Sequence, residues 1–204
     1  MHSPIIYLIK KSKDTNYNGL LPEDKEPEDE LLLHLIYESD WLEPNTLSNQ
    51  SWHRNDWLNS YKDIFDESPY YEYINKENHS ELTITKDNIR QWCKRVIELH
   101  QLYAEALQKR LDKDEFFMFN PFDEDDDPYI LKSEYDSLVG QEYGGVRFVV
   151  YEEYEKCSGL NELELYDVFS MKQLIEHVKD DIVMYEKDAV TFEICHNISG
   201  DYHF

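Results

Sequence analysis

Apolar residues recur at spacings of three and four from Ile89 through Trp92, Val96, Leu99, Tyr103 and Leu107 to Leu111. With Thr85 placed as an N-cap, this pattern predicts a long helix over about 86 to 111. A second helical stripe, Met171, Leu174, Ile175, Val178, Ile182 and Tyr185, follows the capping-box pair Ser170 and Gln173 and predicts a helix to about residue 186. Strand signals lie at residues 4 to 10, at Val146 to Tyr151 after the turn pair Gly144 and Gly145, and at Val190 to Cys195. Glu162, Leu163, Glu164 and Leu165 alternate as a strand with one buried face does, over residues 162 to 168. Residues 129 to 139 read as a short helix ending at Gly140.

The first eighty residues are richer in aromatics and punctuated by proline. Pro22 and Pro27 stand among carboxylates just before the apolar block Leu31 to Ile36, as at a helix start. A short helix over 55 to 65 would bury Trp57, Leu58, Tyr61, Ile64 and Phe65 on one face. The expected fold is therefore α+β: a helix-rich N-terminal half with a long central helix (about 86–111), then a C-terminal antiparallel or mixed sheet with a packed helix. A length of 204 residues fits a single domain, 1–204. Any subdivision falls between a helix-rich part, 1–113, and a sheet-plus-helix part, 114–204.

Charge changes this picture most. Asp and Glu number 44 against 20 Lys and Arg, a formal charge of −24. Such a chain repels phosphate, which argues against direct binding to nucleic acid or to an anionic membrane. A hydrophobic content of 41% and an aromatic content of 14% still give it enough to bury. Cys93, Cys157 and Cys195 lie far apart and form neither a CxxC pair nor a zinc ribbon, so reduced thiols are expected. The apolar stretch Ile5 to Ile9 is too short for a signal-peptide core, and a cytoplasmic location is expected, with the sequons at Asn49, Asn78 and Asn197 unused.

The charge is uneven. Residues 1–80 carry −9, residues 81–114 carry +1, and residues 115–204, with 22 acidic and six basic side chains, carry −16. Lys86, Arg90, Lys94 and Arg95 crowd the opening turns of the long helix, where cations oppose its dipole. They are expected to face an acidic segment of the same chain.

Asp123, Asp125, Asp127 and Glu134 fall at positions 1, 3, 5 and 12 of a calcium loop, but Pro128 stands at the sixth position, where glycine must turn left-handed. No phosphate loop, nucleophile elbow or zinc helix is present in the sequence. Cys195 and His196 are neighbours on a strand and point to opposite faces, which denies them a shared reaction. The expectation is no catalytic residue, no cofactor and no resident metal.

What remains is a surface for a basic protein partner, such as a toxin or a nucleic-acid-processing enzyme. Its expected residues are the loop Asp123, Glu124, Asp125, Asp126 and Asp127; the run Tyr151, Glu152, Glu153, Tyr154 and Glu155; Glu162 and Glu164; and Asp180 and Asp181. In composition and size the chain is similar to bacterial immunity proteins that neutralise a toxin, and to phage proteins that mimic DNA to block defence enzymes. That similarity covers no motif and carries no residue roles. Immunity is the leading expectation, because Tyr and Trp offer anchors and the carboxylates come in clumps rather than in rows matched to phosphates. DNA mimicry or another anti-defence role, a metal-dependent enzyme of unfamiliar type and a structural subunit are the alternatives.

Overall fold

The computed structural model describes residues 2–12, 20–21, 41–46, 68–75, 80–115, 122, 128–140 and 146–203. The fold is α+β. Strand β1 (His2–Lys10) lies in its middle, followed in the chain by β2 (Trp41–Thr46), β3 (Glu72–Asn75) and β4 (Ser80–Thr85). Helix α1 (Lys86–Asp112), helix α2 (Pro128–Tyr135) with a wider turn over Asp136–Gly140, the hairpin β5 (Arg147–Glu155) and β6 (Asn161–Phe169), helix α3 (Met171–Met184), β7 (Ala189–Ile194) and β8 (Ile198–His203) complete it.

Eight strands fill six positions in one mixed sheet. One edge of β1 pairs in parallel with β5, which carries β6. Its other edge is shared: Ile5 and the residues before it pair with β8, and Leu8–Lys10 pair with β7. Beyond them lie β2 on β8, and β4 then β3 on β7. The sheet thus draws strands from both sides of the expected division at residue 113. The helices expected over 31–36 and 55–65 fall outside the described residues.

Alternation along β1 divides the core into two layers. Ile6 and Leu8 face α1 and α3 together with Phe148, Val150, Leu82, Ile84, Phe192 and Ile194. Ile5, Tyr7 and Ile9 face the other way with Val149, Tyr151, Leu163, Cys195 and Ile198. That second layer is closed in part by Leu21, whose N–H donates to Asn197 Oδ1 at 2.8 Å while Asn197 Nδ2 donates to the Leu21 carbonyl at 2.8 Å. This doubly bonded, buried amide is inaccessible to glycosylation.

Both helix starts form as their sequences dictate. Thr85 and Asn88 make a capping box at α1, and Ser170 and Gln173 make one at α3. The inner stripe of α1 departs from expectation at its end: Leu99, Ala106 and Arg110 are buried, whereas Leu107 and Leu111 are exposed. The reason is that α1 bears two stripes about 100° apart, and only one can face the sheet. No described helix is long and apolar enough to cross a membrane.

Gly200 of β8 lies close against β1. A Cβ there would stand 2.9 Å from both Cβ and Cδ1 of Ile5 and 3.2 Å from the Tyr7 hydroxyl. Gly200→Ala is expected to cost about 1–3 kcal/mol through overpacking. Chemical denaturation measures it, and an unchanged midpoint would show that β8 is not held against β1 as described.

Candidate functional site

The helix-covered face of the sheet ends in charge. Past Leu8 and Val150 the same face of β1 and β5 continues with Lys10 and Glu152, and α3 lays His177 and Asp181 over them. Lys10 Nζ donates to Glu152 Oε1 at 2.8 Å and makes a close ionic contact with Asp181 Oδ2. His177 Nε2 lies 3.4 Å from the same Glu152 oxygen. All four side chains are largely enclosed, with relative exposures between 10% and 16%. The group sets two carboxylates against the Lys10 ammonium, with the His177 imidazole as its fourth member.

This arrangement shifts both partners. Burial alone would lower the Lys10 ammonium, but hydrogen bonds and charge from Asp181 and Glu152 outweigh it and raise its pKa. Burial would likewise raise Glu152, and the bonds from His177 and Lys10 reverse the sign and lower it. A lysine held more firmly protonated is a poor nucleophile, so Schiff-base chemistry at Lys10 is disfavoured. The ammonium also sits where a metal ion would have to sit between the carboxylates. Among the described residues, no three His, Cys, Asp or Glu side chains are grouped to hold a metal.

Two tyrosines form the rim. Tyr154 lies two residues beyond Glu152, and its hydroxyl donates to Glu152 Oε2 at 3.4 Å. Tyr166 is placed by a β-bulge: Tyr151 pairs with Leu165 while Val150 pairs with Asp167, leaving Tyr166 as the extra residue. It packs on His177 at a 4.8 Å ring separation, and His177 in turn stacks on Phe169 at 5.1 Å. Tyr154 and Tyr166 remain 40% and 42% exposed. Burial, the Glu152 charge, Tyr166, the bond to Glu152 and the Glu164 charge together push Tyr154 up to about 12. Burial first, and then Glu152, raises Tyr166 as well. Both phenols therefore stay neutral donors in a negative field.

The expected contact residues sort by strand parity. Glu152 and Tyr154 share this face with Glu162 and Glu164, their cross-strand partners. Glu164 is exposed, whereas Glu162 pairs with Lys156 across the hairpin end. Glu153 and Glu155 alternate to the opposite face, where Ser12 Oγ donates to Glu153 at 3.0 Å. Tyr151, expected to reach into a partner, is only 2% exposed and belongs to the second core layer, because strand alternation turns it inward. Asp181 joins Lys10, while Asp180 remains at the surface beside Lys179 at 3.4 Å. Asp123, Glu124, Asp125, Asp126 and Asp127 lie outside the described residues.

The basic start of α1 is largely engaged with nearby acid, as expected from its neutrality. Lys86 donates to Asp188 at 2.8 Å, and Arg95 makes two bonds to Glu134 of α2, at 2.7 and 2.5 Å, and one to Glu98. Glu134 thus clamps a guanidinium, a role at odds with the twelfth ligand of a calcium loop. Sequence reasoning missed Lys10, Tyr166 and His177. A signal for Tyr166 exists in the spacing of Leu163, Leu165 and Val168, which slips from two to three where the bulge lies. No family model, curated protein or solved structure matches the chain.

Proposed function

We propose that the protein is an acidic, non-enzymatic inhibitor, an immunity-type protein that docks on a basic active site through the rim of β5, β6 and α3. The observation that carries this reading is the exposed Glu164 beside the half-exposed Tyr154 and Tyr166, on the face whose enclosed end holds Glu152 and Asp181. Carboxylates and neutral phenols together suit a guanidinium or ammonium of the partner: the carboxylate supplies charge, and the tyrosine face supplies cation–π contact and desolvation. Occlusion is the mechanism. The loop Asp123 to Asp127, with Asp180, adds to the field that steers the encounter.

Cytoplasmic residence and a basic partner encoded beside this chain belong to the same reading. The test is stoichiometry. Titrating the product of the adjacent gene with this protein should abolish that product's activity at one equivalent and should restore it on separation of the two. Inactivation by a substoichiometric amount would mean turnover, and hence an enzyme; full activity at excess inhibitor would remove the immunity reading.

A further inference from the structure

Helix α1 displays a second heptad seam that is exposed along its described length. Cys93, Ile97, His100, Ala104, Leu107 and Leu111 follow one another at spacings of four, three, four, three and four. All six are exposed, with Ile97 at 58%, Leu107 at 44% and Leu111 at 54%, and His100 alone of them also meets α2, its ring edge-on to Tyr135 at 5.7 Å. The buried stripe, from Ile89 and Trp92 to Leu99, Ala106 and Arg110, runs beside it, so the helix is apolar over far more of its circumference than the sheet and α2 cover.

We propose that this seam pairs, antiparallel, with the α1 of a second copy of the chain. The register is self-consistent. With a two-fold axis at Leu102, Ile97 meets Leu107 of the second copy, Cys93 meets Leu111, and His100 meets Ala104, which places every a-type position opposite a d-type one. Charge selects both the occupant and the direction. The molecule carries −24, yet α1 contains six basic and four acidic residues, so its surface is one on which two copies approach with little repulsion. Within α1, residues 86–95 carry four cations and one carboxylate, and residues 96–112 carry two cations and three carboxylates. With Lys86, Arg90 and Arg95 held by Asp188, Asp87 and Glu134, parallel pairing sets the two Lys94 side chains together and aligns the two helix dipoles. Antiparallel pairing brings Lys94 alongside Gln108 and Asp112 of the other helix, themselves joined by a 2.7 Å bond, while Arg90 keeps its own Asp87, and it opposes the two helix dipoles.

One helix pair is a small interface, at the weak end of specific association. Salt distinguishes it from partner docking. Raising salt screens the repulsion between two strongly acidic copies and strengthens the dimer, whereas it weakens capture of a basic partner. The inference is independent of the proposed function, because the inhibitor face lies on β5, β6 and α3.

Sedimentation equilibrium of the full chain, over about 10 to 500 µM and at salt from about 0.05 to 0.5 M, should show a monomer–dimer equilibrium that shifts to dimer with salt. Ile97→Glu with Leu107→Glu should return it to monomer with an unchanged melting temperature, both sites being exposed. Direction is read with the native thiol: in a Cys157→Ser background, Leu111→Cys should cross-link to Cys93 of the second copy on oxidation, and Cys93 without it should not. A chain that stays monomeric throughout, a dimer indifferent to the double substitution, or efficient Cys93-to-Cys93 cross-linking would each overturn the proposal. Monomeric chain that binds an added amphipathic helix through this seam would likewise replace the second copy with a foreign partner.

Discussion

Lys10→Met is expected to lower the stability of the fold by about 3–5 kcal/mol, because it leaves two enclosed carboxylates without their counter-ion. Glu152 and Asp181, with side chains only 16% and 10% exposed, then both lose the ammonium they share. In a domain of this length each kcal/mol moves the melting point by roughly 2–4 °C, so a fall of about ten degrees is the expected readout. Adding Glu152→Gln and Asp181→Asn should recover most of the loss, since the cost lies in stranded charge rather than in lost packing.

The same group sets the pH limits of stability. Glu152 is held below its ordinary 4.5, so its contribution is complete above that value and disappears as pH falls through the depressed one. Lys10 is held above its ordinary 10.5, so its contribution is complete below that value and is lost as pH rises through the raised one. Wild type should show an acid limb and an alkaline limb from this cluster, and Lys10→Met should flatten both. Full acid and alkaline limbs in the variant would show that other groups carry the dependence.

The second large effect concerns binding. Tyr154→Ala is expected to weaken the complex with the basic partner by about 2 kcal/mol or more, roughly thirtyfold, if the phenol is a central anchor. Glu164→Lys reverses the charge of an exposed carboxylate beside it and should cost about 2–5 kcal/mol where a partner cation is desolvated against it. Because both side chains are exposed, neither change should alter the melting temperature. Titration calorimetry separates these outcomes: losses confined to changes at Glu155, on the opposite strand face, would move the contact surface away from the tyrosine rim.

Much of the architecture was legible. The helix of α3 with its Ser170 cap, the start of α1 at Thr85, and the strands around Ile6, Val149 and Phe192 all followed from local periodicity, since each buries one regular stripe. Pairings remote in sequence were not legible. Lys10 and Asp181 are far apart in the chain, and Asp181 on its own read as a carboxylate for a partner; its reason is an ammonium brought by the central strand. Asp188, likewise remote in sequence, answers Lys86. The end of α1 was misread because Leu107 extends the inner stripe at a spacing as acceptable as that of Ala106, and small residues carry little hydrophobic signal. Tyr151 was assigned to the surface by its neighbours in sequence, although strand parity alone sends it inward while Tyr154 goes out.

The central claim is that charge and aromatic character on the β5, β6 and α3 rim form one docking surface. It is tested most directly by the affinity for the adjacent gene's product, measured as salt rises from about 0.05 to 0.5 M, for wild type and for Tyr154→Ala with Glu164→Lys. The account predicts tight wild-type binding that weakens steadily with salt, and a variant at least a hundredfold weaker at low salt with a shallower salt dependence. Equal affinities for the two proteins at every salt concentration would contradict it.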